Sequence, residues 1–501
     1  MHVFNSIQMK GILFIIITSI SIGAYSQKEA NNWYFGNKAG ITFQDGSPTI
    51  LTNSSLNSMF GTAVISDSTG NLLFYSDGKV VYNRNHQQMP NGYGLLGLGH
   101  SQTCIIFKKP GSNSKYYIFT IGNGFTQPHI GLHYSIVDIE LQGGLGDVDN
   151  FYKNIPLENS SLALEKITAV KHADNNSVWV IVRNLSQPVN EYHSYLVTPG
   201  GVNNQPARTS CLSNIPLETS GNNAGQMKVS PDSKFIVAAL NTVNGGTEIG
   251  MFDNNTGYIN NIFNFIEVIL GLPYGVEFSS DNRFVYFTNS SPGFVNKIFQ
   301  YELSLLPDVN LFINSAINLG TGGNASALQI GLDGKIYVAR VFEYYLGVIN
   351  NPSVKGLDCD YDSLGVYLGG PMCYRGLPQF IQTYFLRFEY EGECAGENYT
   401  FTPNFNPVPD SIHWDFGDPA SGANNTSNEL NPAHTYLQSG IYTATAFVRY
   451  PDGRTETATR EVTVTALPEP YPLSDTVICK GTTVTLQAEG GYDSYLWSTN
   501  Q

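Results

Sequence analysis

A chain of 501 residues is too long for one hydrophobic core, and about two to four domains are expected. Only 13% of its residues are charged, 12% are aromatic and 50 are glycine, the profile of a β-rich, turn-rich protein that draws its polarity from Asn, Ser and Thr. The net charge of −15 argues against nucleic acid and anionic membrane surfaces as partners.

Residues 1–26 read as a secretory signal peptide. Lys10 supplies positive charge, and Gly11 to Ile22 is an apolar run too short to span a bilayer. Ala24-Tyr25-Ser26 then puts small residues where a signal peptidase cuts, with Gln27 as the mature start. No cysteine follows the run, so a lipid anchor is not expected. The nearest thing to a membrane helix, Ile259 to Leu272, is interrupted by Asn260, Asn261, Asn264 and Glu267, so no membrane span is expected. These features place the protein outside the cell or on its outer surface.

Between residues 30 and 390 one pattern recurs: a short apolar strand, a turn of Ser, Asp, Gly or Asn, and a more hydrophobic strand. It begins with Thr62 to Ile65 and Leu72 to Tyr75, and ends with Leu328 to Ile330 and Ile336 to Ala339. Anchors at 63, 104, 168, 227, 276 and 328 are spaced by 41, 64, 59, 49 and 52 residues, which fits the four-stranded blades of a β-propeller. Asp and Asn bond their own downstream backbone and Gly takes positive φ, so tight hairpins form repeatedly. Leu377-Pro378-Gln379-Phe380 reads as one more innermost strand. Trp33 to Gly36 and Gly40 to Phe43 read as outer strands lacking an inner one. Joined, they make a seventh blade and remove two exposed sheet edges. A monomeric, seven-bladed propeller over 30–388 is expected; the alternative is a series of unrelated sandwiches.

Four phrases carry a resemblance for this region: Trp33-Tyr34-Phe35-Gly36-Asn37, Gly70 to Gly78, Asn83 to Gly92, and Tyr374 to Phe380. They resemble the N-terminal propeller of large secreted Bacteroidetes proteins with PKD repeats. That resemblance implies export by the type IX secretion system and an association with gliding motility. Further on, Ile412, Trp414 and Phe416 alternate with His413 and Asp415, and Gly417-Asp418 turns the chain. Pro432-Ala433-His434-Thr435-Tyr436 and Gly440-Ile441-Tyr442 follow, with Ala444, Ala446 and Val448 continuing a second half-buried strand. The signature over 390–466 resembles the PKD domain, an immunoglobulin-like sandwich. The resemblance implies a structural role for Trp414, Asp415, Phe416, Gly417, Asp418, His434, Tyr436, Gly440 and Tyr442, in a spacer or binding module. From residue 468, Val477 to Gly481 resembles the start of another immunoglobulin-like domain. A sandwich needs more strands than remain before Gln501, so a fragment of a longer protein is expected.

Six cysteines fit an oxidising compartment. Cys359 and Cys373, fourteen residues apart in a Gly-rich segment, are expected to form a disulfide. Cys104 sits in an apolar strand and is expected to be a buried small hydrophobe.

Catalytic motifs are missing: there is no Gly-x-Ser-x-Gly, His-Glu-x-x-His, Cys-x-x-Cys or phosphate-binding loop. Asp358, Asp360 and Asp362 alternate as calcium loops do, but without the Gly and Glu of an EF-hand, so a solvated loop is expected. Asp415 and Asp418 could help hold calcium in the sandwich, and no other cofactor is expected. Glu277 and Gln329 are centred on inner strands, and His86 and His100 precede one. Together with Lys228 and Gln379 the inner strands suit a polar, water-filled channel. Tyr82, Tyr93, Tyr192, Tyr195, Tyr344 and Tyr345 fall amid Asn and Gly, where exposed rings favour sugar stacking or protein recognition; packing between blades is the plain alternative. The expected function is a non-enzymatic secreted or surface protein for binding or adhesion, its ligand a glycan or a protein. The alternative is a propeller-based polysaccharide hydrolase or lyase with the PKD module as spacer.

Overall fold

A computed structural model describes residues 28–466, apart from 98–100, 123–129, 158–162, 175, 185–189, 212–223, 242–245, 266–271, 290–295, 386, 404, 406–408 and 451–454. The expected signal peptide and the third domain from 468 lie outside the described residues, as does His100.

The fold is all-β. Among the described residues, the segment before Phe388 forms seven sheets. The first has three strands, Asn32–Phe35, Ala39–Thr42 and Thr49–Leu51. Each of the other six is built on one of the recurring hairpins. Thr62–Ser66 pairs with Leu72–Ser76, Cys104–Lys108 with Lys115–Ile121, and Ala163–Lys171 with Val178–Asn184. Met227–Val229 pairs with Phe235–Leu240, Pro273–Phe278 with Phe284–Asn289, and Ala325–Ile330 with Ile336–Arg340. All six sequence anchors therefore stand in the first strand of their hairpins.

Two local causes act together. The strands lie between neighbouring sheets and are covered on both faces, so Val178–Asn184 and Phe284–Asn289 are buried throughout and read as continuous apolar runs. The turns close on their own side chains. Asp67 Oδ1 accepts from Thr69 N at 2.9 Å and Asn71 N at 3.0 Å; Asp174 Oδ1 accepts from Asn176 N at 2.9 Å and Ser177 N at 2.7 Å. In the fifth and sixth sheets a serine is added, Ser230 Oγ donating to Asp232 and Ser279 Oγ to Asp281, both at 2.6 Å.

The sheets form a propeller-like ring that closes differently from the expectation. Pro378–Gln379 does not join Asn32–Phe35. It pairs parallel with Thr62 and Ala63, on the inner edge of the second sheet. The chain reaches that edge with Arg375 N bonded to Met59 O at 2.9 Å, already running in the direction of residues 59–63. The first sheet instead closes the gap with side chains. Trp33 and Phe43 pack on Tyr337 of the seventh sheet with centroids 5.4 and 5.5 Å apart, and Trp33 lies 6.0 Å from Phe380.

The expected disulfide is absent. Cys359 and Cys373 are buried free thiols. The extended strand Tyr361–Tyr367 runs between them and separates its two ends by roughly 20 Å. Cys359 lies against the Tyr286 hydroxyl, whereas the Cys373 thiol donates to Tyr374 O at 3.2 Å. Cys104 is a buried free thiol, as expected.

From Phe388 a separate sandwich begins. One sheet holds Phe388–Glu391, Asn398–Pro403 and Ala433–Thr435; the other holds Thr426–Ser427, Ser411–Asp415, Gly440–Arg449 and Thr455–Val464. Its core is its own, centred on Trp414, which meets Phe388 edge-on at 5.0 Å and Phe401 at 5.7 Å. The connection into it is not a free linker. Phe380, Ile381, Gln382, Thr383, Tyr384, Phe385 and Arg387 are all buried.

Candidate binding groove

Three places were singled out by their residue types: the axis of the ring, the sandwich motif and the exposed aromatics. A fourth, where the sandwich meets the ring, emerges only from the structure.

At the axis, Lys228 Nζ donates to Glu277 Oε2, to Gln329 Oε1 at 2.7 Å and to Leu328 O at 3.1 Å. Glu277 also accepts from Ile330 N at 2.7 Å and Phe278 N at 3.0 Å. Gln226 Oε1 accepts from Leu328 N at 2.8 Å, and Gln102 Nε2 donates to Gln379 Oε1 at 2.8 Å. All six of these polar side chains are buried. The expected water-filled channel is therefore closed by long polar arms that bond one another across the inner strands. Burial pushes the Lys228 ammonium below its ordinary value, against the opposing pull of Glu277. Glu277 and Gln329 are brought together, but as members of a satisfied network. His86 lies elsewhere, its Nδ1 3.1 Å from the Tyr75 hydroxyl.

In the sandwich, the motif residues converge on one corner. Trp414 Nε1 donates to Glu429 O at 3.0 Å, and Asp415 Oδ1 accepts from Gly417 N at 2.8 Å and Asn425 Nδ2 at 2.9 Å. Phe416 stacks on His434 at 4.5 Å, His434 Nε2 meets Asp418 Oδ2 at 3.1 Å, and the Tyr436 hydroxyl donates to Phe416 O at 2.9 Å. Tyr442, two residues after Gly440, packs 4.3 Å from Tyr436. Gly417 has φ +70°, and a Cβ there would collide with the Thr443 backbone, which is why glycine stands in this turn. Every polar group named is occupied in holding the corner.

Among the described residues no group of three or more His, Cys, Asp or Glu side chains is placed to hold a metal ion. Asp360 Oδ2 accepts from Asn350 Nδ2 at 3.1 Å, and Asp362 Oδ1 caps Leu364 N at 2.8 Å. No helix among the described residues is long and apolar enough to cross a membrane.

The aromatic expectation divides. Tyr93 and Tyr344 are exposed, at 56% and 43%. Tyr82 and Tyr345 are half-buried, stacked on Tyr75 and tilted against Tyr367 respectively. Tyr192 and Tyr195 are not surface rings. Both lie in a strand covered by the next sheet, and the Tyr192 hydroxyl donates to the buried Glu248 at 2.6 Å.

The fourth place is a groove with a cavity of about 420 Å³, between the turns of the fourth and fifth sheets and the sandwich. Lys171, His172 and Lys234 line the ring side, Glu389, Tyr390 and Arg460 the sandwich side. Lys171 Nζ lies 3.6 Å from Glu389 Oε1. Arg460 Nη1 donates to Phe388 O at 3.1 Å, and its guanidinium lies over the Tyr390 ring at 4.8 Å. No carboxylate among the described residues is within ion-pair distance of Arg460. Burial lowers its pKa, against the pull of Tyr390, Glu389 and Asp232. Asp232 also faces the groove, and burial raises its carboxyl despite the Ser230 hydroxyl bonded to it. At the far edge of the junction Arg387 Nη1 donates to Leu332 O in the last hairpin turn at 2.9 Å, while its guanidinium lies 5.9 Å from the Phe405 ring of the sandwich. None of this was marked by sequence. Lys171, Glu389 and Arg460 belong to three strands far apart in the chain, and no local pattern sets them apart.

Residues 390–466 match the PKD domain family. The sandwich is a PKD domain. No sequence among curated proteins matches the chain. Among solved structures, a candidate 6-phosphogluconolactonase of Bacteroides uniformis is 13% identical over 68% of this chain and 98% of its own, with a TM-score of 0.41. The PKD1 domain of the Vibrio cholerae metalloprotease PrtV is 27% identical over 16% of this chain and 91% of its own, with a TM-score of 0.13. The extracellular domain of a candidate one-component system of B. thetaiotaomicron is 11% identical over 87% of this chain and 59% of its own, with a TM-score of 0.33.

Proposed function

We propose that the chain is a secreted or cell-surface protein that binds a glycan or a surface protein without turning it over, exported by the type IX route and serving adhesion or surface motility. One observation carries this reading. At the axis, Lys228 is buried and bonded to Glu277 and Gln329, and Gln226 is buried and bonded to the backbone of Leu328, so none of these four side chains is free to act on a substrate. Open polar space lies instead beside the PKD domain, a module suited to presentation and contact. The test is a glycan array run beside an activity screen on the same polysaccharides with the full chain. Retention without product supports the proposal. Product formation that is lost in Glu277→Gln would replace it with a hydrolase or lyase.

A further inference from the structure

We propose that the groove between the ring and the PKD domain binds an acidic saccharide, hydroxyl-rich rings bearing carboxylate or sulfate groups. This rests on the binding-protein reading above and gives it a place and a ligand class.

Arg460 is the centre of the site. A guanidinium offers five N–H donors in a planar fork. Here the protein acceptor is Phe388 O, reached from Nη1 at 3.1 Å, and the ring of Tyr390 holds the plane in position. Three acids line the groove; Glu391 is exposed to solvent, and the other two are engaged elsewhere. Glu389 faces Lys171 at 3.6 Å, and Asp232 accepts the Ser230 hydroxyl at 2.6 Å and Lys234 N at 3.2 Å. A partly desolvated fork with donors to spare and, among the described residues, no carboxylate within ion-pair distance fits the paired oxygens of a carboxylate or sulfate.

The rest of the wall favours a sugar over a peptide. Ser233, Asn254 and Thr383 are hydrogen-bonding groups suited to ring hydroxyls. The aliphatic lining is limited to Ala173 and Pro231, so a peptide's apolar side chains would find no pocket. A volume of about 420 Å³ is within the range of small-ligand sites, and domain junctions are where such sites concentrate.

The test uses the full chain with polygalacturonate and chondroitin sulfate oligosaccharides, against neutral cello-oligosaccharides of equal length. Acidic probes should be retained, neutral ones not, and retention should weaken with added salt. Arg460→Gln should weaken binding about tenfold or more, and Arg460→Lys less, since it keeps the charge but loses the fork. Because Arg460 also holds Phe388, a second pair of variants avoids the packing. Ala173 is exposed at the rim, so Ala173→Glu should weaken binding and Ala173→Lys strengthen it, both with unchanged melting. Equal retention of neutral probes, failure to retain any acidic probe, or acidic binding indifferent to both Arg460→Gln and Ala173→Glu overturns the site while leaving a glycan-binding protein possible elsewhere on the molecule. Competition by poly-glutamate as strong as by the oligosaccharides assigns the groove to acidic protein and overturns the saccharide.

Discussion

The axis and the groove are both polar and both charged, yet they do opposite work. At the axis every arm ends on another arm or on backbone, so Lys228, Glu277 and Gln329 hold inner strands of three sheets together. In the groove Lys171 and Glu389 pair at 3.6 Å, but Arg460 keeps donors beyond the one that Phe388 O accepts. Residue type alone does not separate them, since each holds a carboxylate beside a lysine. What separates the two is whether the hydrogen-bonding capacity has been used up within the protein.

The largest expected effect tests the axis. Glu277→Gln leaves Lys228 as a buried cation without its anion, a loss of about 3–5 kcal/mol. The melting temperature should fall by several degrees, while retention on a glycan array stays as in the parent. Unchanged melting would show that the network is not what holds the inner strands. A smaller loss, about 2–3 kcal/mol, is expected of Arg387→Ala, which strips Leu332 O of a charged donor in a buried place. Limited proteolysis should then cut between the ring and the PKD domain; resistance equal to the parent's would mean that burial of the flanking residues suffices.

The smallest effect concerns pH and compares a turn carboxylate left in solvent with turn carboxylates that are covered. Partial burial raises Asp174, but hydrogen bonds from Ser177 and Asn176 outweigh it and hold the carboxyl at about 2. A lowered carboxyl contributes stability above its unfolded value, lost as pH falls through the folded one, here from about 4 to about 2. Asp232 and Asp281, which line the junction cavities, are raised by burial from 3.8. Their ionisation costs stability as pH rises above that value, and acidification restores it. Asp174→Asn should therefore destabilise at pH 7, by less than about 1 kcal/mol because the group is largely solvated, and Asp232→Asn should not. Identical pH profiles for the two variants, measured by thermal melting between pH 3 and 7, would dissolve the distinction between covered and open turns.

The hairpins were legible because their signals are local. Asp67 to Asn71 and Ser279 to Arg283 carry both the breaker and the bond that closes the turn within five residues. The PKD corner was legible for the same reason, since Trp414 to Asp418 fold back on themselves. The closing strand was placed in the wrong sheet because its partner lies some three hundred residues earlier and the pairing is parallel, with no turn to announce it. The disulfide does not form because seven of the residues between the two cysteines make an extended strand and not a loop. The groove had no signal at all, for it exists only where Lys171, Glu389 and Arg460 meet.

The buried connection from Phe380 to Arg387 also sets the path of a pull. Tension entering from the C-terminal side reaches Phe388 first, and the next contacts to resist it are Arg387 on Leu332 and Lys171 on Glu389. Behind them stands the two-residue strand Pro378–Gln379 that closes the ring. The force is thus spread over the fourth and seventh sheets before it can act on that short ladder, so a pull on the PKD domain would break its grip on the ring before the ring unzips.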